Sequence, residues 1–301
     1  MLFASLGLAL MSVFSLCFVD STPVSNGFVG EVDDTPIAQT CDENGNVTDL
    51  YSKDFSPSSA GSTTFYSPDP SDYIDPLLIF GSDDRTVLTD EDDYKKFPYR
   101  TVCLIHTGRD NDGDGDVDVW GVGTGVLVGP KTVLTASHLI YGDSWPVSVY
   151  VYPGGHNDSN GSLVAPYGEI RSRQWTIGVY FRTKDHADDW AIISLDTAIG
   201  EEIGYMGVSS SLSNGDTVRL YGYHGDLETQ LGYGPGIVSN VETFKFCHNC
   251  DAIAGSSGGP ITKGTSTVVG IHSGGYSSTL DQACKVSDYI VGWIEEEIEK
   301  S

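Results

Sequence analysis

An all-β fold, either barrel or sandwich, is what this sequence predicts, on three observations. Short runs rich in Val, Ile, Thr and Tyr alternate with turn signals from Pro98 onward, glycine makes up 36 of the 301 residues, and no long amphipathic pattern occurs before residue 289. The runs are taken in order. Tyr99 to His106 and Trp120 to Val128 are β-branched and aromatic, and the Asp/Gly-rich stretch between them reads as a hairpin tip. Gly125 to Leu134 reads as a strand, a Gly129-Pro130 turn and a second strand that runs on to His138. Val147 to Tyr152, Trp190 to Leu195, Thr217 to Tyr223 and Val268 to His272 complete the set, at the spacing of a barrel or sandwich. Tyr289, Ile290, Trp293, Ile294 and Ile298 then recur at helical spacing, which predicts a short C-terminal helix over 289–301 with one side against the β structure.

Composition bounds the partners. The formal charge of −26 sets the chain against nucleic acid, whose phosphates it would repel, and no basic stripe suits an anionic lipid surface. Leu2 to Val19 is one apolar run and reads as a secretory signal over 1–20, so the expected location is extracellular. Its start lacks Lys or Arg, which keeps an uncleaved membrane anchor as the alternative. Residues 21–77 are acidic and rich in Ser, Thr, Pro and Gly without an apolar period, as expected of a flexible or weakly folded pro-segment. Residues 78–301 hold the remaining apolar runs and are expected to fold as a monomer. Cys103, Cys247, Cys250 and Cys284 would form two disulfides in an exported domain, with three possible connectivities. Cys247 and Cys250 also have zinc or redox spacing, but no second paired cluster accompanies them. Asn46, Asn157 and Asn160 each open a glycosylation sequon, which matters only in a eukaryotic source.

Three segments carry the chemistry. Gly255-Ser256-Ser257-Gly258-Gly259-Pro260 has the form of a nucleophile loop: Ser257 would attack, and the Gly255 and Ser257 N–H groups would receive the charge on a substrate carbonyl. Alone it is no more than a Gly/Ser/Pro turn. Thr135-Ala136-Ser137-His138 supplies an imidazole at the end of an apolar run. Asp188-Asp189-Trp190 puts a carboxylate at the start of another, with Asp189 preferred as the residue beside the apolar run, and Asp185 and Asp188 as alternatives. A fourth segment, Asp110 to Asp118, spaces Asp110, Asp112, Asp114 and Asp116 as an EF-hand loop spaces its oxygen ligands. It would hold calcium as a structural ion, although Gly121 stands where that loop has its bidentate glutamate; the alternative is a solvated acidic tip.

From about Leu78 onward the chain resembles the chymotrypsin-like serine proteases, and among them the bacterial glutamyl endopeptidases. Besides the three segments, the resemblance rests on Ile79 to Thr86, Phe97 to Arg100, Gly129 to Val133, Ile199-Gly200, Ile203 to Tyr205 and Gly222-Tyr223, and on the order His, Asp, Ser. It implies two packed six-stranded antiparallel β-barrels, about 96–205 and 206–288, with catalysis by His138, Asp189 and Ser257 between them. It also implies no required cofactor, polypeptide substrates, and removal of a propeptide near Leu78.

The resemblance places His272 and Ser273, with Asp251 and Ala252, in the substrate pocket, and His272 implies cleavage after Glu or Asp. By itself His272 reads as a hydrogen-bonded core histidine. Ala252 stands where the family has a hydroxyl residue, and Asp251 occupies the position that selects Lys and Arg in trypsin, so trypsin-like cleavage is the rival. Leu139 replaces a bridged cysteine found in many relatives, and Ser256 replaces the aspartate of the digestive zymogen switch, so both the histidine loop and activation need other devices. Two further alternatives are a catalytically silent relative that binds protein or calcium, and an esterase, which the lack of a Gly-x-Ser-x-Gly elbow disfavours.

Overall fold

The computed structural model describes residues 37–50, 83–142, 144–178, 188–277 and 280–300. The expected signal, the cut near Leu78 and the alternative Asp185 lie outside them. Six antiparallel strands close the first barrel: β4 (Val102–Arg109), β5 (Val119–Leu127), β6 (Thr132–Thr135), β7 (Ser148–Pro153), β10 (Ile170–Gly178) and β11 (Ala191–Leu195). Closure comes from β10, which pairs with β7 through Ile170–Ser172 and with β11 through Ser172–Ile177. The second barrel is closed by β13 (Thr217–Tyr223), β14 (Leu231–Ser239), β15 (Lys245–His248), β16 (Pro260–Lys263), β17 (Thr267–Gly275) and β18 (Asp281–Lys285). Short strands decorate this framework: β3 (Thr86–Val87) on β14, β12 (Gly207–Val208) parallel to β17, and the pair β8 (His156–Asn157) and β9 (Leu163–Val164).

The apolar runs are continuous because several strands are buried on both faces. On β13, Val218 and Leu220 enter the core of the second barrel while Tyr221 and Tyr223 enter a core shared by both barrels. On the other side, Leu127, Val133 and Ile193 fill the first barrel, and their neighbours Val126, Leu134 and Ile192 meet the shared core. A period of two therefore divides each strand between an internal core and the seam, and both sets of residues are apolar. A short helix α2 (Ile199–Ile203) follows β11, and the longer C-terminal helix α3 (Asp288–Lys300) lays Ile290, Val291 and Ile294 on the shared core. Ser287 Oγ accepts the Ile290 N–H at 3.3 Å as an N-cap.

Three expectations are corrected. The strand through Leu134 stops at Thr135, and His138 lies in a single helical turn, α1 (Ser137–Ile140). Leaving the β ladder frees the His138 N–H for a side-chain acceptor. Within the segment expected to be flexible, β1 (Ala38–Asp42) and β2 (Val47–Leu50) form a hairpin, and β1 pairs with β10 across Gln174–Gly178, where β7 no longer runs. The four cysteines expected in bridges are free, as is Cys41. Cys103, Cys250 and Cys284 are buried in three different cores, which keeps their sulfurs apart.

Candidate active site

The site lies where the two barrels meet. His138 donates its backbone N–H to Asp189 Oδ1 at 2.9 Å, and its ring Nδ1 lies 2.7 Å from Asp189 Oδ2. With Nδ1 so engaged, Nε2 is the nitrogen left to exchange protons. Asp189 is fully buried, just ahead of β11, and its neighbours hold the turn: Asp188 Oδ1 accepts the Trp190 Nε1–H at 2.6 Å, and Ser137 Oγ donates to the Trp190 carbonyl. Asp189, not Asp188, is therefore the partner of the imidazole. Burial opposes a charge on His138, but the Asp189 carboxylate and its hydrogen bond outweigh it and raise the pKa.

Sequence reading left the Leu139 loop without its cysteine bridge, and Arg109 fills that role. Its guanidinium donates to the Leu139 carbonyl at 3.1 Å and to the Ser144 carbonyl at 3.0 Å, clamping both sides of the turn that carries His138. An arginine near the start of the acidic tip gave no hint of this, because its partners lie 30 and 35 residues downstream.

The loop of Ser257 is tied to the first barrel through Thr124 on β5. The Thr124 N–H donates to the Ser257 carbonyl at 2.9 Å, and Thr124 Oγ1 donates to the Gly255 carbonyl at 2.8 Å while accepting the Tyr223 N–H at 3.0 Å. Gly258, at φ +79°, packs so closely on the Thr124 carbonyl and Thr135 Oγ1 that a side chain would collide with both, and Leu139 lies beside it. Ser257 is thus next to the histidine segment. Its hydroxyl makes no hydrogen bond to His138 among the described residues, a looseness common before substrate closes such a site. The Gly255 and Ser257 N–H groups have no acceptor among the described residues, whereas Ser256, Gly258 and Gly259 donate to Ile253, His272 and Ser256 carbonyls.

Beside the loop, His272 on β17 is buried, with its backbone N–H on the Gly259 carbonyl. Its Nδ1 lies 3.2 Å from Nε2 of His248, a residue sequence reading passed over. The Cys250 N–H donates to His248 Nδ1 at 3.2 Å, so His248 carries its proton on Nε2 and gives it to His272 Nδ1. That leaves His272 with a proton on Nε2. Burial pushes the pKa of His248 down to about 4 and, with nearby His248 and His138, that of His272 well below the ordinary value. Both rings are neutral near pH 7, so His272 offers a hydrogen-bond donor rather than a charge. Ser273 Oγ next to it is buried without a partner among the described residues.

Asp251 is exposed and accepts the Asp84 N–H at 3.1 Å, so it fastens the segment ahead of β3 to the chain that follows Cys250; Ala252 packs on the second core. The same segment is anchored by Arg85, which bonds both carboxylate oxygens of Asp226 at 3.0 and 2.7 Å. At the acidic tip, the carboxylates that converge are those of Asp110, Asp112 and Asp118, not Asp114 and Asp116. The loop folds around Asp110, which accepts the Asp112, Gly113 and Gly115 N–H groups, and Asp118 returns to accept the Asn111 N–H. The backbone-bound carboxylate of Asp110 has a lowered pKa.

Two barrels, a buried Asp–His pair and a serine loop with free N–H donors are the arrangement of the chymotrypsin-like serine proteases, and this chain is similar to members of that family in sequence and fold. Residues 123–271 match the model of the trypsin-like peptidase domain. A glutamyl endopeptidase of Bacillus licheniformis is 33% identical over 63% of this chain and 56% of its own length. An extracellular metalloprotease of Bacillus subtilis, as that relative is named, is 27% identical over 68% of this chain and 65% of its own. The chain thus spans under two thirds of these relatives. A solved glutamyl endopeptidase is matched over 100% of its chain by 74% of this one, with 26% identity and a TM-score of 0.61.

Proposed function

We propose that this chain is an exported serine endopeptidase that cuts after glutamate, with aspartate as the next choice. Ser257 Oγ attacks the peptide carbonyl as His138 Nε2 takes its proton, and Asp189 holds the imidazole and balances its charge. The Gly255 and Ser257 N–H groups receive the oxyanion, His138 returns the proton to the leaving amine, and water releases the acyl-enzyme. The observation that carries this reading is the pair of hydrogen bonds from His138 to the buried Asp189. Labelling by a serine-directed phosphonate tests it, with Ser257 modified in the active chain and no adduct in Ser257→Ala.

The glutamate preference is supported by the proton order along His248 and His272, which aims a donor at an acceptor side chain. The engagement of Asp251 with the Asp84 N–H favours it over trypsin-like cutting. Peptides differing only at the residue before the cut decide: kcat/KM is expected to be highest for Glu, and a preference for Arg would overturn the assignment.

No described helix is long and apolar enough to cross a membrane, and export rests on the apolar run at 2–19. Removal of residues 21–77 would leave a new terminus a few residues upstream of Asp84 and Arg85, which are fastened to Asp251 and Asp226. Comparing the full chain with the form trimmed near Leu78 tests this, and equal activity would refute it. The reaction calls for no cofactor. For calcium, the acidic tip offers hard oxygen ligands from Asp110, Asp112 and Asp118, and a melting temperature that ignores both chelator and added calcium would remove the ion from consideration.

A further inference from the structure

We infer that residues 37–50 are a separable strand donor for the first barrel, which stays docked on β10 after the chain is cut between Leu50 and Asp83. The barrel is complete without them. Its ring closes through β7, β10 and β11, so the hairpin is added to a finished structure. The solved relative, matched over its whole length by 74% of this chain, shows the fold closing on a shorter sequence.

The edge that receives the hairpin is a strand-binding site by construction. Because β7 pairs only with Ile170 to Ser172, the far half of β10, held by β11 on one side, turns on its other side an edge of backbone N–H and C=O groups that no strand of the barrel meets. Ala38 to Asp42 fill that edge residue by residue, opposite Gly178 to Gln174, and backbone pairing supplies the attachment. The side chains fit the edge closely. Cys41 is fully buried opposite Trp175, Ala38 fully buried opposite Gly178, and Thr40 Oγ1 lies 2.8 Å from Thr176 Oγ1. Glu43 places both carboxylate oxygens 3.0 Å from Arg173.

The outer strand β2 is exposed and polar through Thr48 and Asp49, and Gln39 Nε2 on β1 donates to Asp49 Oδ1 opposite it at 2.6 Å, which ties the two strands of the hairpin together. Docking also reaches the site. Gly178, opposite Ala38, donates its N–H to the carbonyl of Trp190, the residue after Asp189.

The inference rests on reading 21–77 as a segment that is cut away, but not on catalysis, so the test uses Ser257→Ala and the two readings fail separately. The full-length variant is digested with a lysine-specific endopeptidase, whose first site in the sequence is Lys53, or with thermolysin if that bond resists. Mass spectrometry places the cut. In native gel filtration the N-terminal fragment is expected to co-elute with the body and to part from it only in denaturant.

Iodoacetamide provides a second readout that needs no cut. Cys41, whose thiol burial raises to about 11, is expected to react at least about tenfold more slowly in the folded chain than in denaturant. Thr40→Pro, which a paired inner strand does not accommodate, should expose Cys41 and release the fragment while Cys103 stays protected. A fragment that elutes alone in native buffer, or a Cys41 that alkylates in the intact chain at its denatured rate, would overturn the inference.

Discussion

His138 receives two hydrogen bonds' worth of constraint from one carboxylate, and the consequences can be measured residue by residue. Replacing Asp189 by Asn reverses the tautomer preference of the ring, and kcat is expected to fall by about 10³–10⁴-fold with the fold intact by circular dichroism. Activity requires the neutral imidazole. Because Asp189 raises the His138 pKa, kcat/KM should climb with pH through a midpoint above the ordinary histidine value, and the midpoint should drop in the Asn variant. Arg109→Ala releases the Leu139 and Ser144 carbonyls, and should lower kcat about tenfold or more with KM little changed, since it positions the base without touching substrate. At this scale the sequence was legible where a residue's role follows from its immediate neighbours. Asp189 could be preferred to Asp188 because it borders the apolar run. His248 and Arg109 could not be read: His272 and the carbonyls of Leu139 and Ser144 are remote from them in sequence, and the cysteine spacing around His248 suggested zinc or redox chemistry rather than a pair of imidazoles.

Elements were legible where both faces are apolar, as in Thr217–Tyr223, and hidden where small or polar residues interrupt the run. Leu231–Ser239 carries glycine at alternate positions so that neighbouring side chains can fill the space: His224 and Leu227 crowd Gly232, and Cys250 crowds Gly236. Ile170–Gly178 has polar side chains facing outward over half its length, and nothing in the sequence marks the edge that accepts Ala38–Asp42. The strand ends also carry a pH response. His248, at the end of β15, has a folded pKa of about 4, below its unfolded value, so it adds stability above about pH 6.5 that is lost as pH falls through about 4, on the order of 3 kcal/mol. The melting temperature should therefore decline across that window, and His248→Gln should flatten this part of the curve even if it lowers the whole.

For the molecule as a whole, the seam between barrels decides stability, since it unites Val126, Leu134, Tyr221, Tyr223 and the inner side of α3 in one core. Tyr223 crosses it directly, donating its hydroxyl to the Val102 carbonyl at 3.2 Å. The helix reaches the neighbour of Asp189 through aromatics: Trp293 and Tyr289 meet Trp190 edge-on, at centroid distances of 5.6 and 5.9 Å. Trp293→Ala should cost about 3–5 kcal/mol by thermal or urea unfolding, and the loss in kcat should exceed that of a comparable core truncation in the second barrel, such as Phe246→Ala.

That helix also sets a sequence in time. When a ribosome has finished Ser257, the three candidate side chains His138, Asp189 and Ser257 already exist, yet Trp190 still lacks the rings that cover it until synthesis passes residue 293. A chain ending before residue 288 is therefore expected to leave Trp190 bare on that side, and weaker phosphonate labelling of Ser257 in that truncation would measure how far the helix supports Asp189.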